Sequence, residues 1–387
     1  MAEIYFDNSA TTKMSQGAKK KMTEVIEEHY GNPSSLHARG VDAEHIKEEA
    51  RRIILSSLGV KRGVRGELVF TSGGTEANNM AILGTVNAKA RKGNEKILVS
   101  AGEHSSVEET VAHLEKQGYT VLRVPTKDGK LDIDYIEANC KDAILASFMQ
   151  VNNETGALYD LKEAFSVIKE ISPRCVTHAD CVQSYMKVKF TPKNIGAELV
   201  SISAHKVNGA KGVGALYINP DVIKTKRLVP IAYGGGQEES FRSGTENVYG
   251  IAAFGEAVRE HMENMEREIG IMRELRSYIV DGLENSEARV NAPTKSAPHI
   301  INITLPGIRS ETMLHHLSSK GIYVSSGSAC SSNTGHLSSA LTAYGRSERE
   351  ADSSIRVSFS HRNTEEDVDA LCEGLAEGLT KLSRIRR

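Results

Sequence analysis

The sequence contains no tryptophan, and its few cysteines are irregularly spaced. Five cysteines occur in 387 residues, without a C-x-x-C pair among them: Cys140, Cys175, Cys181, Cys330 and Cys372. An odd number without paired spacing argues against a disulfide framework and favours a reducing compartment. No apolar run approaches the roughly 20 residues that a membrane-spanning helix requires. The N-terminus, MAEIYFDNSATTK, has neither a signal-peptide nor a transit-peptide pattern, so we expect a cytoplasmic protein.

The chain also lacks an excess of either charge. Lysine and arginine total 48, aspartate and glutamate total 50, and the formal net charge is −2. Without a basic excess, direct binding to nucleic acid or to an anionic membrane is not indicated. Internal repeats and low-complexity linkers are absent as well. With 39% hydrophobic and 25% charged residues over this length, the sequence predicts a globular protein of two domains.

Short apolar segments alternate with amphipathic ones in the first two-thirds of the chain. The predicted strands include residues 67–70, 96–100, 120–124, 143–148, 175–178 and 199–203. Helical patterns lie at 16–29 and 38–58 and between several of these strands. Strands joined by helices require crossover connections, which build a mostly parallel sheet buried on both faces. The pattern therefore predicts an α/β fold.

A different rhythm begins with a long charged helix after residue 258. Apolar residues recur along one side of it, at Met262, Met265, Ile269, Met272, Leu275 and Ile279. Such a stripe predicts a core-facing seam that joins two domains. The strands and the helix predicted after it, which form an α+β segment, lie at 299–304, 310–319, 322–324 and 354–358. We assign 15–258 to a large domain, and 1–14 with 259–387 to a small one.

Two glycine-rich turns suggest ligand contacts. In TSGGTEANN, Gly74 and Thr75 begin a helix directly after a strand, and such a turn offers free N–H groups and a positive helix end to a phosphate. Ordinary turn chemistry explains these glycines equally well. In LVSISAHKVNGAKG, a strand delivers Ser203, His205 and Lys206 to its carboxyl end, where ligands bind in open α/β sheets. Lys206 is therefore a candidate reactive amine, although a lysine in this position commonly reaches solvent.

An acidic residue closes another buried strand, in the motif CVTHADCVQ. The carboxylate of Asp180 needs a partner there, which a pyridinium nitrogen would supply, and Gln183 follows three residues later. The alternative is a zinc site formed by Cys175, His178 and Cys181. On a strand, however, the histidine points to the opposite face from both cysteines, and no fourth ligand is evident. We predict no metal.

An amine for a Schiff base, an acid for a ring nitrogen and a Gly-Thr phosphate cup together describe a site for pyridoxal 5′-phosphate (PLP). That combination is more specific than any of its parts, but it does not explain one cysteine. Cys330 occurs in GIYVSSGSACSSNTG, a Ser- and Gly-rich stretch without a histidine beside it, which is typical of a loop. By itself this stretch leaves both an inert and a reactive thiol open.

Ten motifs follow one another along nearly the whole chain. They are YFDNSATT, GNPSSLH, TSGGTEANN, EHSSV, VNNETG, HADCVQ, SAHKVNGAKG, GGGQEESFRSGTEN, SSGSACSS and SSIRVSFS. In this order they resemble the motifs of cysteine desulfurases of the NifS/IscS type (group I), within the class V aminotransferase family. The resemblance implies a fold type I PLP architecture with a seven-stranded sheet in the large domain. It also implies a homodimer and a catalytic cysteine loop at about 325–338 in the small domain.

The resemblance further implies roles for particular residues. Lys206 would bind PLP as a Schiff base, and His104 would stack on its ring and help to move protons. The residues implied to hold the cofactor are Gly74, Thr75, His104, Asn153, Asp180, Gln183, Ser203, His205, Lys206 and, acting on the neighbouring subunit's phosphate, Thr245. Asn153 and Arg356 would bind the substrate carboxylate, for which the planar guanidinium is well suited.

The implied reaction removes sulfur from L-cysteine and leaves L-alanine and a persulfide on Cys330. A protein acceptor would then take the sulfur for iron–sulfur cluster assembly or for tRNA or cofactor thiolation. Two alternatives remain, a selenocysteine lyase or other class V PLP lyase, and a non-catalytic sulfur-carrier or docking protein. The Cys330 stretch argues against the lyase, because selenium release need not involve an acceptor thiol. Lys206, Asp180 and His104 together argue against a non-catalytic protein.

Overall fold

Strands and helices alternate along most of the chain in a computed structural model that describes residues 3–61, 63–89, 93, 95–326 and 338–383. The strands are β1 (Ile4–Tyr5), β2 (Leu68–Thr71), β3 (Lys96–Ser100), β4 (Thr120–Val124), β5 (Ala143–Met149), β6 (Val176–Asp180), β7 (Leu199–Ser203), β8 (Gly214–Ile218), β9 (Arg289–Asn291), β10 (Ile300–Thr304), β11 (Ile322–Tyr323) and β12 (Ser354–Ser358). The helices are α1 (Gln16–Glu28), α2 (Ala38–Ser57), α3 (Gly74–Asn87), α4 (Ser105–Lys116), α5 (Ile133–Asn139), α6 (Leu161–Ile171), α7 (Pro192–Ile195), α8 (Pro220–Lys224), α9 (Val248–Gly282), α10 (Ser310–Ser318), α11 (Ser339–Ala343), α12 (Glu348–Asp352) and α13 (Glu365–Ser383). Among these described helices, none combines the length and the apolar character needed to cross a membrane.

A seven-stranded sheet forms the centre of the larger part of the described chain. Its strand order is β2-β8-β7-β6-β5-β3-β4. Strands β7, β6, β5, β3 and β4 run parallel, whereas β8 is antiparallel to both of its neighbours. Strands β5, β6 and β7 are buried along their whole length, as a parallel sheet covered by helices on both faces requires. The predicted α/β fold with a mostly parallel sheet is confirmed.

Helix α9 connects two hydrophobic cores. Its N-terminal half packs on the core of the large sheet through Ile251, Phe254 and Val258. Its C-terminal half packs in a second core through Ile269, Met272, Leu275 and Ile279. Met265 contacts both cores. Met262, predicted to belong to the same stripe, is 41% exposed. Because successive residues of a helix are about 100° apart, Met262 lies about 80° from the middle of the stripe.

The second core surrounds a small antiparallel sheet of order β12-β10-β9. Strand β1 pairs in parallel with β11, and Phe6 packs in this second core, so the N-terminal segment lies with the C-terminal part of the chain. Cys372 is half-buried at the edge of this core. The predicted boundary after residue 258 falls inside the continuous helix α9. The division into 15–258 and 1–14 with 259–387 stays a prediction, which the two separate cores support.

Candidate active site

A cavity of about 740 Å³ opens at the carboxyl ends of β5, β6 and β7, beside the first turns of α3 and α4. The predicted site residues that line it are Gly74, Thr75, His104, Asn153, Asp180, Gln183, Ser203, His205, Lys206 and Arg356. Thr245 lies on an exposed stretch before α9 and does not line this cavity of its own chain. Cys330 lies outside the described residues. A second cavity, of about 460 Å³ beside α2, contains none of the predicted residues.

Lys206 follows β7 in a short 3₁₀ turn at 204–206. Its Nζ donates hydrogen bonds to the carbonyl oxygens of Ser9 and Ala10, the latter at 2.8 Å. The N-terminal segment thereby holds the amine at the wall of the cavity. A second, buried lysine lies behind it, because Lys187 Nζ donates to the Lys206 carbonyl at 2.7 Å. Burial and the charge of Lys206 lower the pKa of Lys187 to about 7.

Asp180, the last residue of β6, is only 6% exposed. Asn78 Nδ2 donates to Asp180 Oδ2 at 2.7 Å, and the backbone N–H of Val182 donates to Oδ1 at 2.9 Å. Two donors stabilise the buried carboxylate, which otherwise would carry a large desolvation cost. The predicted need for a partner is thus met in part by Asn78, a residue that helix α3 brings to the end of β6.

His104 is the N-cap residue of α4. Its Nδ1 accepts a hydrogen bond from the backbone N–H of Ser106 at 3.1 Å and lies 2.9 Å from the hydroxyl of the same serine. Burial lowers the pKa of His104 despite the nearby negative charge of Asp180. The ring is therefore neutral at pH 7, and because Nδ1 accepts from the backbone, the proton is on Nε2.

Arg356 is buried in β12 and lines the cavity. Its Nη1 donates to the carbonyl oxygen of Asn153 at 3.0 Å, and its Nη2 donates to Asp7 Oδ1 at 2.8 Å. Its Nε has no hydrogen-bond partner among the described residues. A buried guanidinium with an unused donor at a cavity wall is suited to bind a carboxylate.

Comparison with known proteins assigns the chain to a family. The aminotransferase class-V model matches residues 4–371. The chain belongs to the class-V aminotransferase family. A protein named cysteine desulfurase IscS 1, from Archaeoglobus fulgidus, is 38% identical over 390 residues, which cover 99% of each chain. Two solved structures are also similar. One described as a NifS-like protein has a TM-score of 0.90 and 33% identity, covering 98% of this chain and 100% of that one. One described as SspA in complex with cysteine has a TM-score of 0.78 and 27% identity, covering 94% and 100%.

The resemblance read from the motifs is thus confirmed, and the cofactor of this class-V family is PLP. Six buried polar atoms without a partner among the described residues lie on residues that line the cavity, namely Ser9 Oγ, Asn78 Oδ1, Glu103 Oε2, Gln183 Oε1, Ser203 Oγ and Arg356 Nε. Buried polar atoms are normally paired, so these six mark the place of a polar ligand. A Cβ on Gly74 would lie 2.7 Å from Val182 Cγ2, so glycine lets the N-terminal end of α3 approach the turn after β6.

The donor set fits PLP. The N-terminal end of α3, with Thr75 and Ser203, suits a phosphate. Asp180 suits a ring nitrogen, and Lys206 suits an aldehyde. The role of each residue stays a prediction.

Several residues that line the cavity were not identified from the sequence. Asn78, Glu103 and Glu154 all line the cavity and are buried. They stand inside the motifs TEANN, EHSSV and VNNETG, which is the signal that could have found them. Glu103 Oε1 accepts from the hydroxyl of Ser100 and from the backbone N–H of Met149, the latter at 2.7 Å, while Oε2 has no partner among the described residues.

Glu103 predicts an unusual dependence of stability on pH. Burial raises its pKa to about 8, against the hydrogen bond from Ser100 and together with the charge of Asp180. Between the ordinary pKa of 4.5 and about 8, the folded chain keeps this proton while the unfolded chain releases it. The contribution of Glu103 to the free energy of unfolding therefore falls as the pH rises through that window. The variant Glu103→Gln mimics the protonated acid and cannot ionise.

At each pH, the melting temperature of Glu103→Gln is compared with that of the natural protein. We expect this difference, variant minus natural, to be at least about 2 °C larger at pH 8.5 than at pH 5. Melting curves of the PLP-loaded proteins at the two pH values measure this. Glu137→Gln, which changes an exposed carboxylate on α5, is the control and should show no such trend. An equal difference for Glu103→Gln at both pH values would contradict the prediction.

Proposed function

We propose that this protein is a PLP-dependent cysteine desulfurase that forms L-alanine from L-cysteine and a persulfide on Cys330. The observation that carries the proposal is the meeting of Lys206, Asp180 and Arg356 in one cavity, since these three offer an amine, an anion for a ring nitrogen and a cation for a carboxylate. The names of the relatives, cysteine desulfurase and NifS-like protein, support the same activity.

The residues that line the cavity would have separate roles in the reaction. PLP bound at Lys206 supplies an electron sink for the substrate α-carbon. Arg356 would bind the substrate carboxylate and so orient the α-carbon towards the amine of Lys206, which would remove its proton. Asp180 would hold a proton on the ring nitrogen by accepting its hydrogen bond. His104 would offer a single donor, Nε2–H, inside the cavity.

Cys330 would then take the sulfur. Its thiolate attacks the substrate sulfur, an S–S bond forms, and the C–S bond breaks. The electron pair of the broken bond stays with the carbon, which gains a proton and leaves as alanine. Sulfur is oxidised and carbon is reduced, so no external oxidant or reductant is needed. This role rests on the sequence around Cys330, which lies outside the described residues.

Partners and location follow from the proposal. A homodimer is supported by Thr245, which is exposed and away from the cavity of its own chain, as expected of a residue that serves a neighbouring subunit. The acceptor of the persulfide would be an iron–sulfur scaffold or a thiolation enzyme. The reaction needs neither nucleic acid nor a membrane, and a cytoplasmic location stays a prediction.

The test is to incubate the PLP-loaded protein with L-cysteine, without an acceptor, and to follow alanine together with the masses of all cysteine peptides. We expect alanine, and one added sulfur on the Cys330 peptide only. The peptides of Cys140, Cys175, Cys181 and Cys372 are internal controls, because these thiols are buried or half-buried.

Two results would favour the alternatives. Alanine from L-selenocysteine but none from L-cysteine would favour the lyase. A folded protein without the visible absorbance of bound PLP would favour a non-catalytic carrier. Added sulfur on a different cysteine would contradict only the proposed role of Cys330 and would leave the proposed activity standing.

A further inference from the structure

Two hydrogen bonds and one longer contact connect the loop that follows Lys206 (residues 207–213, the lysine loop) with the segment after β12, by way of helix α9. His261 Nε2 lies 3.1 Å from Asn208 Oδ1, and His261 Nδ1 lies 2.5 Å from Glu268 Oε2. The other oxygen of Glu268 lies 3.4 Å from Nδ1 of His361, three residues after the end of β12. These contacts therefore connect the lysine loop with the segment that continues the strand of Arg356.

Both ring nitrogens of His261 face acceptors. The amide of Asn208 is oriented by a second contact, because its Nδ2 donates to the carbonyl of Lys13 at 2.7 Å, which leaves Oδ1 towards the histidine. The other partner is the carboxylate of Glu268. Burial raises the pKa of Glu268, but the hydrogen bond and the charge of His261, with the charges of His361 and Arg362, outweigh this, and the net pKa is lowered. His261 is thus held through both ring nitrogens, between the amide of Asn208 and the carboxylate of Glu268.

Asn208 is the point at which this pair acts on the lysine loop. It lies two residues after Lys206, is 6% exposed and has a φ of 59°, in the left-handed region that asparagine tolerates. Its backbone N–H donates to Thr12 Oγ1 at 2.8 Å, and its carbonyl accepts from the N–H of Ser15 at 2.9 Å. The same N-terminal segment supplies the carbonyls that receive Lys206 Nζ. The orientation of Asn208 thus sets how the turn after Lys206 meets that segment.

We propose that His261, which contacts both Asn208 and Glu268, is a positioning residue that fixes the lysine loop relative to the segment after the strand of Arg356. The inference rests on the proposed function, in which Lys206 and Arg356 act on the same substrate molecule. Both members of the pair are buried, at 7% and 8% exposed. Removal of one leaves the other without its partner, and the relaxation that follows displaces Asn208. Small displacements of this kind lower the rate of a reaction that depends on aligned groups.

The test compares PLP-loaded natural protein with His261→Gln, Glu268→Gln and the double variant. We expect each single change to lower kcat for L-cysteine about tenfold with KM changed less than about threefold, because alignment is lost while the carboxylate site remains. The double variant should lose no more than the worse single variant, since both residues act through one pair. The visible circular dichroism of bound PLP, which reports its orientation, should change in all three. Glu260→Gln removes the charge from a neighbouring carboxylate of α9, which accepts a hydrogen bond from the N–H of Gly17. This control variant should change neither kcat nor the circular dichroism of bound PLP.

Outcomes separate this inference from the proposed function. Variants with lower melting temperatures but natural kcat and natural circular dichroism would overturn it, because the pair would then only support the fold. If His261→Gln does not fold, Glu268→Gln decides alone, since it keeps the size of the side chain and an acceptor for His261 Nδ1. If the natural protein forms no alanine, the circular dichroism of the PLP-loaded proteins still tests the positioning role without any turnover.

Discussion

Lys206→Ala is expected to lower alanine formation from L-cysteine at least about 1,000-fold and to leave no PLP covalently attached. Lys206 Nζ is the lysine amine that reaches the cavity wall from the end of β7, where the carbonyls of Ser9 and Ala10 hold it. Alanine at this position removes both the attachment point and the base. The helix end at Gly74 and Thr75 still offers a phosphate site, so the variant should keep weak, non-covalent binding.

Reduction with borohydride, followed by peptide mass spectrometry, measures the attachment directly. The natural protein should carry reduced PLP on the Lys206 peptide. In Lys206→Ala, no peptide should carry it. Lys193→Ala, which removes an exposed lysine on α7, is the matched control and should behave as the natural protein. PLP found on Lys187 in the natural protein would contradict the assignment, because that lysine lies buried behind Lys206 and its lowered pKa of about 7 makes it a competent amine.

Asp180→Asn is expected to lower kcat about 100- to 1,000-fold while the protein stays folded and binds PLP. The change keeps the shape of the side chain and removes the charge that would hold a proton on the ring nitrogen. The local hydrogen bonds can adapt. Asn78 donates through Nδ2 to both Asp180 and Ser106, so a flipped Asn78 amide would accept from an asparagine at 180 and from the serine hydroxyl.

The absorbance spectrum and the kinetics of the Asp180 variant should change together. Its folded state, followed by melting temperature, should remain close to that of the natural protein. The same substitution at an exposed aspartate of α5, Asp134→Asn, controls for the general loss of a charge. A kcat within about threefold of natural in Asp180→Asn would show that no proton on the ring depends on this carboxylate.

Elements with a strong local pattern could be predicted from the sequence, several of them to the residue. Strands β3, β7 and β12 have the predicted bounds, because each is a short segment rich in isoleucine, leucine and valine. Ser203, His205 and Lys206 followed from the rule that ligands bind at carboxyl ends of strands. His104, Asn153 and Arg356 were predicted only from the resemblance of the motifs. Met262 was wrongly predicted to face the core, because it lies at the edge of the apolar stripe of α9, about 80° from its middle.

Contacts between distant residues could not be predicted in this way. Asn78 and Asp180 are separated by 102 residues, and their hydrogen bond depends on how α3 packs against the sheet. The pair of His261 and Glu268 lies on one face of α9 like many surface pairs, and only the fold brings Asn208 to it. Burial gives such polar residues their chemistry, and a single sequence does not reveal which polar residues a fold will bury.

The N-terminal segment adds a constraint on the order of events during synthesis. This segment leaves the ribosome long before its partners, because Asn8 bonds to Ser358, 350 residues later, and Asp7 bonds to Arg356. At the usual speed of about 5–20 residues per second, its partners follow only after some tens of seconds. The large sheet can form before then, whereas the wall that holds the amine of Lys206 needs the last strand. A nascent chain can thus possess every residue of the phosphate site and still be inactive, which confines the sulfur chemistry to the finished protein.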